Sequence, residues 1–189
     1  MKLNVDDGRR GRGFEKLIGL SFDGYAAASL ARFDFMPTPT KVIGSRNGRL
    51  VLVQCGKPSF DIYGYTIANA TFIGAELKSS GRKTSLPIVN PKNHGGGLQL
   101  HQISALASVA QSGGIARIVW ENGGDIGILT NDDIILAADV YMHAMATENS
   151  GRKPKSGTKS IEWEKFTPVI YESFGGVIAP EWLRYDLVK

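Results

Sequence analysis

Two short segments, Ser59–Tyr65 and Thr71–Ser79, flank Ala68-Asn69 and read as the arms of a β-hairpin. Side chains along a strand alternate between its faces, so Ile73, Ala75 and Leu77 share one face, as do Phe60 and Ile62 on the other arm. Glu76 and Lys78 point the opposite way. Pairing symmetric about Ala68-Asn69 sets Asp61 opposite Glu76. The pattern predicts one face of core and one face bearing two carboxylates and an ammonium.

Residues paired directly across two strands lie about 5 Å apart. Two carboxylates at that distance repel unless a proton or a cation sits between them. Mg2+ suits such a pair, with Mn2+ as a substitute, because a hard cation takes oxygen ligands. A neighbouring lysine would orient a water or offset charge developing on a phosphate. The pattern therefore points to phosphodiester hydrolysis. The alternative is a solvated hairpin face on which Asp61, Glu76 and Lys78 keep the sheet soluble.

A helical pattern precedes the hairpin, with Phe14, Leu17, Ile18, Phe22, Tyr25 and Ala26 at helical spacing and Glu15 at the edge of the stripe. Glu15 is either a first-turn acid favoured by the helix dipole or a third acid for the pair. A second amphipathic segment, Leu98–Ser112, has Gln99, Ile103, Leu106, Ala107 and Ala110 on one side, His101-Gln102 in its first half and Gly113-Gly114 as its stop. No second His or Cys stands at zinc spacing from His101. Ile115–Glu121 and Ile126–Leu129 read as strands around a turn at Asn122–Asp125, with Trp120 as a packing residue. Thr130 and Asp133 then open a helix through about Met145. Trp163, Phe166, Tyr171, Phe174 and Trp182 make the tail aromatic enough to pack on the domain or on a second subunit.

The 189 residues, 42% of them hydrophobic, suffice for one α/β domain over 1–189. Net charge is +4, and its distribution suits a polyanion. Arg9, Arg10 and Arg12 stand among glycines in what reads as a mobile basic arm over 1–12. Lys41, Arg46 and Arg49 follow, then Arg82 and Lys83, and finally Arg152, Lys153, Lys155 and Lys159 in and beside a basic loop over 149–158. Each cluster is a candidate for phosphate contacts, with a solvated loop as the alternative. The single Cys55 excludes an intrachain disulfide and a multi-cysteine metal site. No apolar run is long enough to span a bilayer, so the expectation is a cytoplasmic protein without membrane contact.

In order along the chain, these segments resemble the RecU-type Holliday-junction resolvases of the PD-(D/E)xK nuclease superfamily. The resemblance is carried by GRGFE at Gly11–Glu15, Pro37-Thr38-Pro39, SFDIYG at Ser59–Gly64 and GAELK at Gly74–Lys78. It continues through KTSLPIVN at Lys83–Asn90, HQ at His101-Gln102, GG at Gly113-Gly114 and KSI at Lys159–Ile161. It implies a restriction-endonuclease-like mixed β-sheet flanked by helices, with a short protruding β stalk over about 41–58. It implies a Mg2+ site built from Glu15, Asp61 and Glu76, with Lys78 as the catalytic lysine and Gln102 in support. It also implies a homodimer that nicks four-way DNA junctions in pairs, alongside other recombination proteins. The chain departs from the pattern at PKNHGGGLQ before Leu100, which is longer than the usual connection, and at Lys41–Pro58, which is shorter than the family's stalk. A nuclease of the same superfamily acting on other DNA, and a junction-binding protein without catalysis, are the alternative readings.

Overall fold

Helix α1 (Asp7–Ala27) begins earlier than the glycines suggest, so Arg9, Arg10 and Arg12 lie on its first two turns instead of in a mobile arm. Each glycine inside a helix costs about 1 kcal/mol relative to alanine. Burial of Phe14, Ile18 and Tyr25 against the sheet offsets this cost. The computed structural model describes residues 7–54, 56, 58–89, 97–149, 160–174 and 177–183. Cys55, the connection 90–96, Arg152, Lys153, Lys155 and Lys159 lie outside them, as do the side chains of Arg9 and Phe174.

After β1 (Ala31–Phe35) the chain forms a separate two-stranded hairpin, β2 (Thr40–Arg46) and β3 (Arg49–Gln54). It turns through Asn47 and Gly48 at φ +52° and +72°, the two left-handed positions of a tight hairpin turn. A bulge interrupts its register between Val42 and Gly44. Most of its side chains are exposed, Leu50, Leu52, Val42 and Ile43 among them. This hairpin occupies the expected stalk segment.

The next hairpin, β4 (Ile62–Thr66) with β5 (Phe72–Ser80), pairs Ile62 with Ala75 and Tyr65 with Phe72, a register symmetric about Ala68-Asn69. The Thr66 amide donates to the Thr71 carbonyl at 3.0 Å, and Asn69 Oδ1 accepts from Thr71 Oγ1 at 2.7 Å. The first arm is shorter than expected. The chain bends at residues 59–61, so Phe60 departs from the strand alternation and packs with Leu86 and Ile103, on the opposite side of the sheet from Ile62. Its ring covers Gly74, whose Cβ, if present, would stand 3.3 Å from it.

Strand β6 (Ser85–Val89) and the short β7 (Leu98–Gln99) lead into α2 (Leu100–Gln111). Gln99 is extended at φ −87° and ψ 148° and caps α2 instead of joining its apolar side as expected. Gly113, at φ +82°, ends the helix. Strands β8 (Ile115–Asn122) and β9 (Asp125–Leu129) turn at Gly123-Gly124. Thr130 then donates its hydroxyl to Asp133 Oδ2 at 2.9 Å, opening α3 (Asn131–Asn149), which runs four residues past the expected Met145. Strand β10 (Ser160–Glu162), a 3-10 turn (Trp163–Lys165), β11 (Thr167–Pro168), β12 (Tyr171–Phe174) and β13 (Val177–Pro180) complete the described chain.

The main sheet has the order β1-β4-β5-β8-β9-β11, and its sole parallel pairing among the described residues is β5 with β8. The crossover between those strands carries β6, β7 and α2 over one face. There α2 and α3 bury Ile103, Leu106, Ile118, Trp120 and Ile134 with the sheet. On the other face α1 and the C-terminal segment bury Ile18, Tyr25, Ile73, Ala75 and Trp182. Trp120 packs edge-on against Trp163 and Phe166, and its indole N–H donates to Ser80 Oγ at 2.9 Å. Trp182 docks on the domain itself, donating to Ser21 Oγ at 2.8 Å. The division of the hairpin into one core face and one open face is therefore corrected. β5 is central, so both of its faces are covered, and Glu76 is 1% exposed. No helix among the described residues is long and apolar enough to cross a membrane.

Candidate active site

The chain leaves the sheet at Asp61, and three hydrogen bonds fix the point of departure. The Asp61 amide donates to the Ala75 carbonyl at 3.0 Å, and its carbonyl accepts from the Met36 amide at 2.8 Å. Its side chain then takes over from the strand, with Oδ2 accepting from the Leu77 amide at 2.9 Å. A carboxylate held by backbone on both sides has little freedom, which is what a ligand or catalytic group requires.

Glu76 lies on β5 between the two residues that hold Asp61. Its Oε1 meets the Lys78 ammonium at 2.6 Å and accepts from the Gln102 side-chain amide. Its Oε2 is buried without a hydrogen-bond partner among the described residues. The Gln102 side-chain carbonyl accepts from Lys78 Nζ at 3.2 Å and from the Gln99 amide at 2.9 Å. One side chain thus caps the start of α2 and orients both charges of the site. Burial pushes the Glu76 carboxyl up to about 8, the neighbouring Asp61 charge adds to the rise, and Lys78 opposes it.

The arrangement fits a hard divalent cation, since an orphaned carboxylate oxygen stands buried beside a second, backbone-anchored carboxylate. No group of three or more His, Cys, Asp or Glu side chains converges on a metal position among the described residues. Glu15 accordingly stands apart. It is exposed on α1, and its carboxyl is raised by partial burial and by Asp61 while Arg12 lowers it. Asp61, Glu76, Lys78 and Gln102 form the connected centre, with Glu15 coupled to it through charge.

The basic residues divide between two places. The first turns of α1 bring Arg10 Nη1 to Gly81, where a Cβ would lie 3.2 Å away, and so to the end of β5. Arg82 is exposed and pairs with Asp125 at 3.0 Å. Lys83 is exposed, and its backbone is clamped by Asn122, which accepts from its amide at 2.7 Å and donates to its carbonyl at 2.8 Å. Asn122 escaped the sequence reading because its partner lies 39 residues away and only the fold joins them. The second group is on the β2–β3 hairpin, where the register puts Lys41, Arg46 and Arg49 on one face and Val42, Leu50 and Leu52 on the other. Arg46 and Arg49 are direct cross-strand partners at the tip, a like-charge pair that costs stability without an anion. Sequence reasoning also missed Arg117, fully buried on β8, which donates to the Ala116 carbonyl at 2.7 Å.

No protein-family model matches the chain. The chain is similar to the Holliday junction resolvase RecU of Streptococcus uberis, with 27% identity over 122 residues, covering 62% of this chain and 57% of that protein. It is also similar to the Holliday junction resolvase RecU of Leuconostoc mesenteroides, with 29% identity over 116 residues, covering 59% of this chain and 53% of that protein. The likeness is distant, and the chain spans little more than half the length of the curated relatives it matches.

Proposed function

We propose that the chain is a RecU-like endonuclease that resolves four-way DNA junctions by paired nicks, as a homodimer with Mg2+. The observation that carries this reading is the connected set of Asp61, Glu76, Lys78 and Gln102, with the buried Oε2 of Glu76 left over for a cation. The mixed sheet, with its acids on a hairpin that joins a parallel strand through a helical crossover, supports a restriction-endonuclease-like assignment. The distant likeness to two RecU resolvases points the same way.

Asp61 and Glu76 would hold the metal, with Glu15 joining directly or through a water. Bound Mg2+ supplies Lewis acidity to the phosphate and lowers the pKa of its water. Lys78 opposes the rise that burial imposes on the Glu76 carboxyl and offers an ammonium to the charge that builds on phosphorus during in-line attack. Gln102 positions both groups. Arg10, Arg12, Arg82 and Lys83 would hold the cleaved strand, and Arg46 and Arg49 would take phosphates at the hairpin tip. Two cuts on opposed strands need two sites, which an isologous dimer on a junction of approximate twofold symmetry provides.

The test is cleavage of a labelled immobile four-way junction beside linear duplex, single strand and a three-way flap, with Mg2+ or EDTA and with Asp61→Asn as control. Symmetric Mg2+-dependent nicks in the junction, absent from Asp61→Asn, are expected. Equal cleavage of linear duplex would move the protein to the general nucleases, and tight junction binding without any cleavage would make it a binding protein.

A further inference from the structure

An open cleft of about 270 Å³ lies beyond the β8–β9 turn, lined by Asp125, Ile126, Trp163, Pro168, Val169 and Tyr171 together with Gly124. It contains none of the proposed metal ligands and lies at the sheet end toward which Glu76 and Lys78 run; Trp163 packs on the face that carries Glu76, whereas Ile126 and Val169 pack on the opposite, α1 face. Lys78, Trp120 and Gly127 occupy successive positions on one rung across β5, β8 and β9. Gly127 is therefore two strand spacings, about 10 Å, from Lys78. The Trp163 ring lies over Gly127, where a Cβ would meet it at 3.0 Å. At about 3.4 Å per nucleotide along a strand, DNA with its scissile phosphate at Lys78 carries a base two to four nucleotides away over the cleft.

The chemistry of the lining fits such a base. Trp163 is immobilised by stacking on Phe166 at 17° and by its edge contact with Trp120, so its indole is a fixed wall. Tyr171 is half exposed and forms part of the lining. Aromatic walls take the π-face of any base. Asp125 adds one acceptor, which pairs with an exocyclic amine such as that of cytosine. Arg82 pairs with Asp125 at the cleft, Lys83 follows it in the chain and is exposed, and Arg10 stands beside Gly81 at the end of β5. Arg82 holds Asp125 in an exposed ion pair, a contact weak enough to exchange when a phosphate arrives.

We propose that this cleft receives a nucleobase of the strand being cut, held between Trp163 and Tyr171 with the Asp125 carboxylate accepting from its exocyclic amine. Arg82 passes from Asp125 to a backbone phosphate as the base enters, which links strand capture to base reading. The inference rests on the nuclease reading above and adds a specificity site to it.

The experiment measures cleavage of four-way junctions in which the bases two, three and four nucleotides from the nick are varied in turn, using wild type, Asp125→Ala, Asp125→Asn and Tyr171→Ala. Wild type should favour an amine-bearing base at one of these positions by about tenfold or more, the worth of one hydrogen bond to a charged group. Both alanine variants should lose that preference, cutting the best junction at about the rate at which wild type cuts the others, and Asp125→Asn, which keeps an acceptor oxygen, should restore part of it. An unchanged preference in both alanine variants, or no preference in wild type, overturns the base site and leaves the nuclease reading standing. If wild type cuts no junction of any sequence, the nuclease reading itself fails and the base site falls with it.

Discussion

Among the described residues, Lys78 is the one cation in ion-pair contact with Glu76, a carboxylate that burial drives toward its neutral form. Replacing it by methionine keeps the stem and removes the charge. Lys78→Met should lower junction cleavage by at least about a hundredfold, the scale of losing one transition-state donor, while junction affinity changes little. Gel-based cleavage and binding assays on the same preparation check both halves. Glu76 also sets a pH dependence. Its carboxyl is raised from 4.5 to about 8 in the fold, so between those values the folded chain holds a proton that the unfolded chain has lost. Stability without metal should therefore fall as pH rises across that window. Thermal melts in EDTA should show the decline, and Glu76→Gln should flatten it; an equally steep decline in the variant would contradict the assignment. The geometry of these residues was partly legible, because turn symmetry alone sets Asp61 against Glu76. The second oxygen of Glu76 and the twofold role of Gln102 were not, since both depend on α2 returning across the sheet.

At the scale of elements, sequence periodicity served well where local and tertiary preferences agree, as in β5, β8 and α2. It failed at Phe60, where the bond from Met36 to Asp61 pulls the chain out of the strand, and at the start of α1, where packing further along extends a helix through glycines. The α1 glycines offer a direct check. A Cβ on Gly13 would meet nothing within 4 Å. Gly13→Ala should thus stabilise the protein by about 0.5–1 kcal/mol, read as a higher midpoint in urea. The β2–β3 hairpin makes its own prediction through its paired tip arginines. If each takes one phosphate, Arg46→Gln with Arg49→Gln should reduce the slope of log affinity against log salt by about two for junction DNA, measured in an Asp61→Asn background. An unchanged slope would remove the hairpin from the DNA contact surface.

Across the whole molecule, two cores are stacked on either side of one sheet, and β5 runs between them. The α/β class and the order of most elements followed from the sequence. The double covering of β5 did not, because hydrophobic pattern records that a residue is buried without recording beneath which element. Parallel pairing of β5 with β8 joins Ser79 to Glu121, 42 residues on, through a 2.5 Å hydrogen bond. A chain emerging from the ribosome exposes Asp61, Glu76 and Lys78 well before it has made the helix that orients them or the strand that holds them in place. If the chain is the nuclease proposed above, a half-built chain lacks the oriented centre, and cutting is withheld until the domain closes.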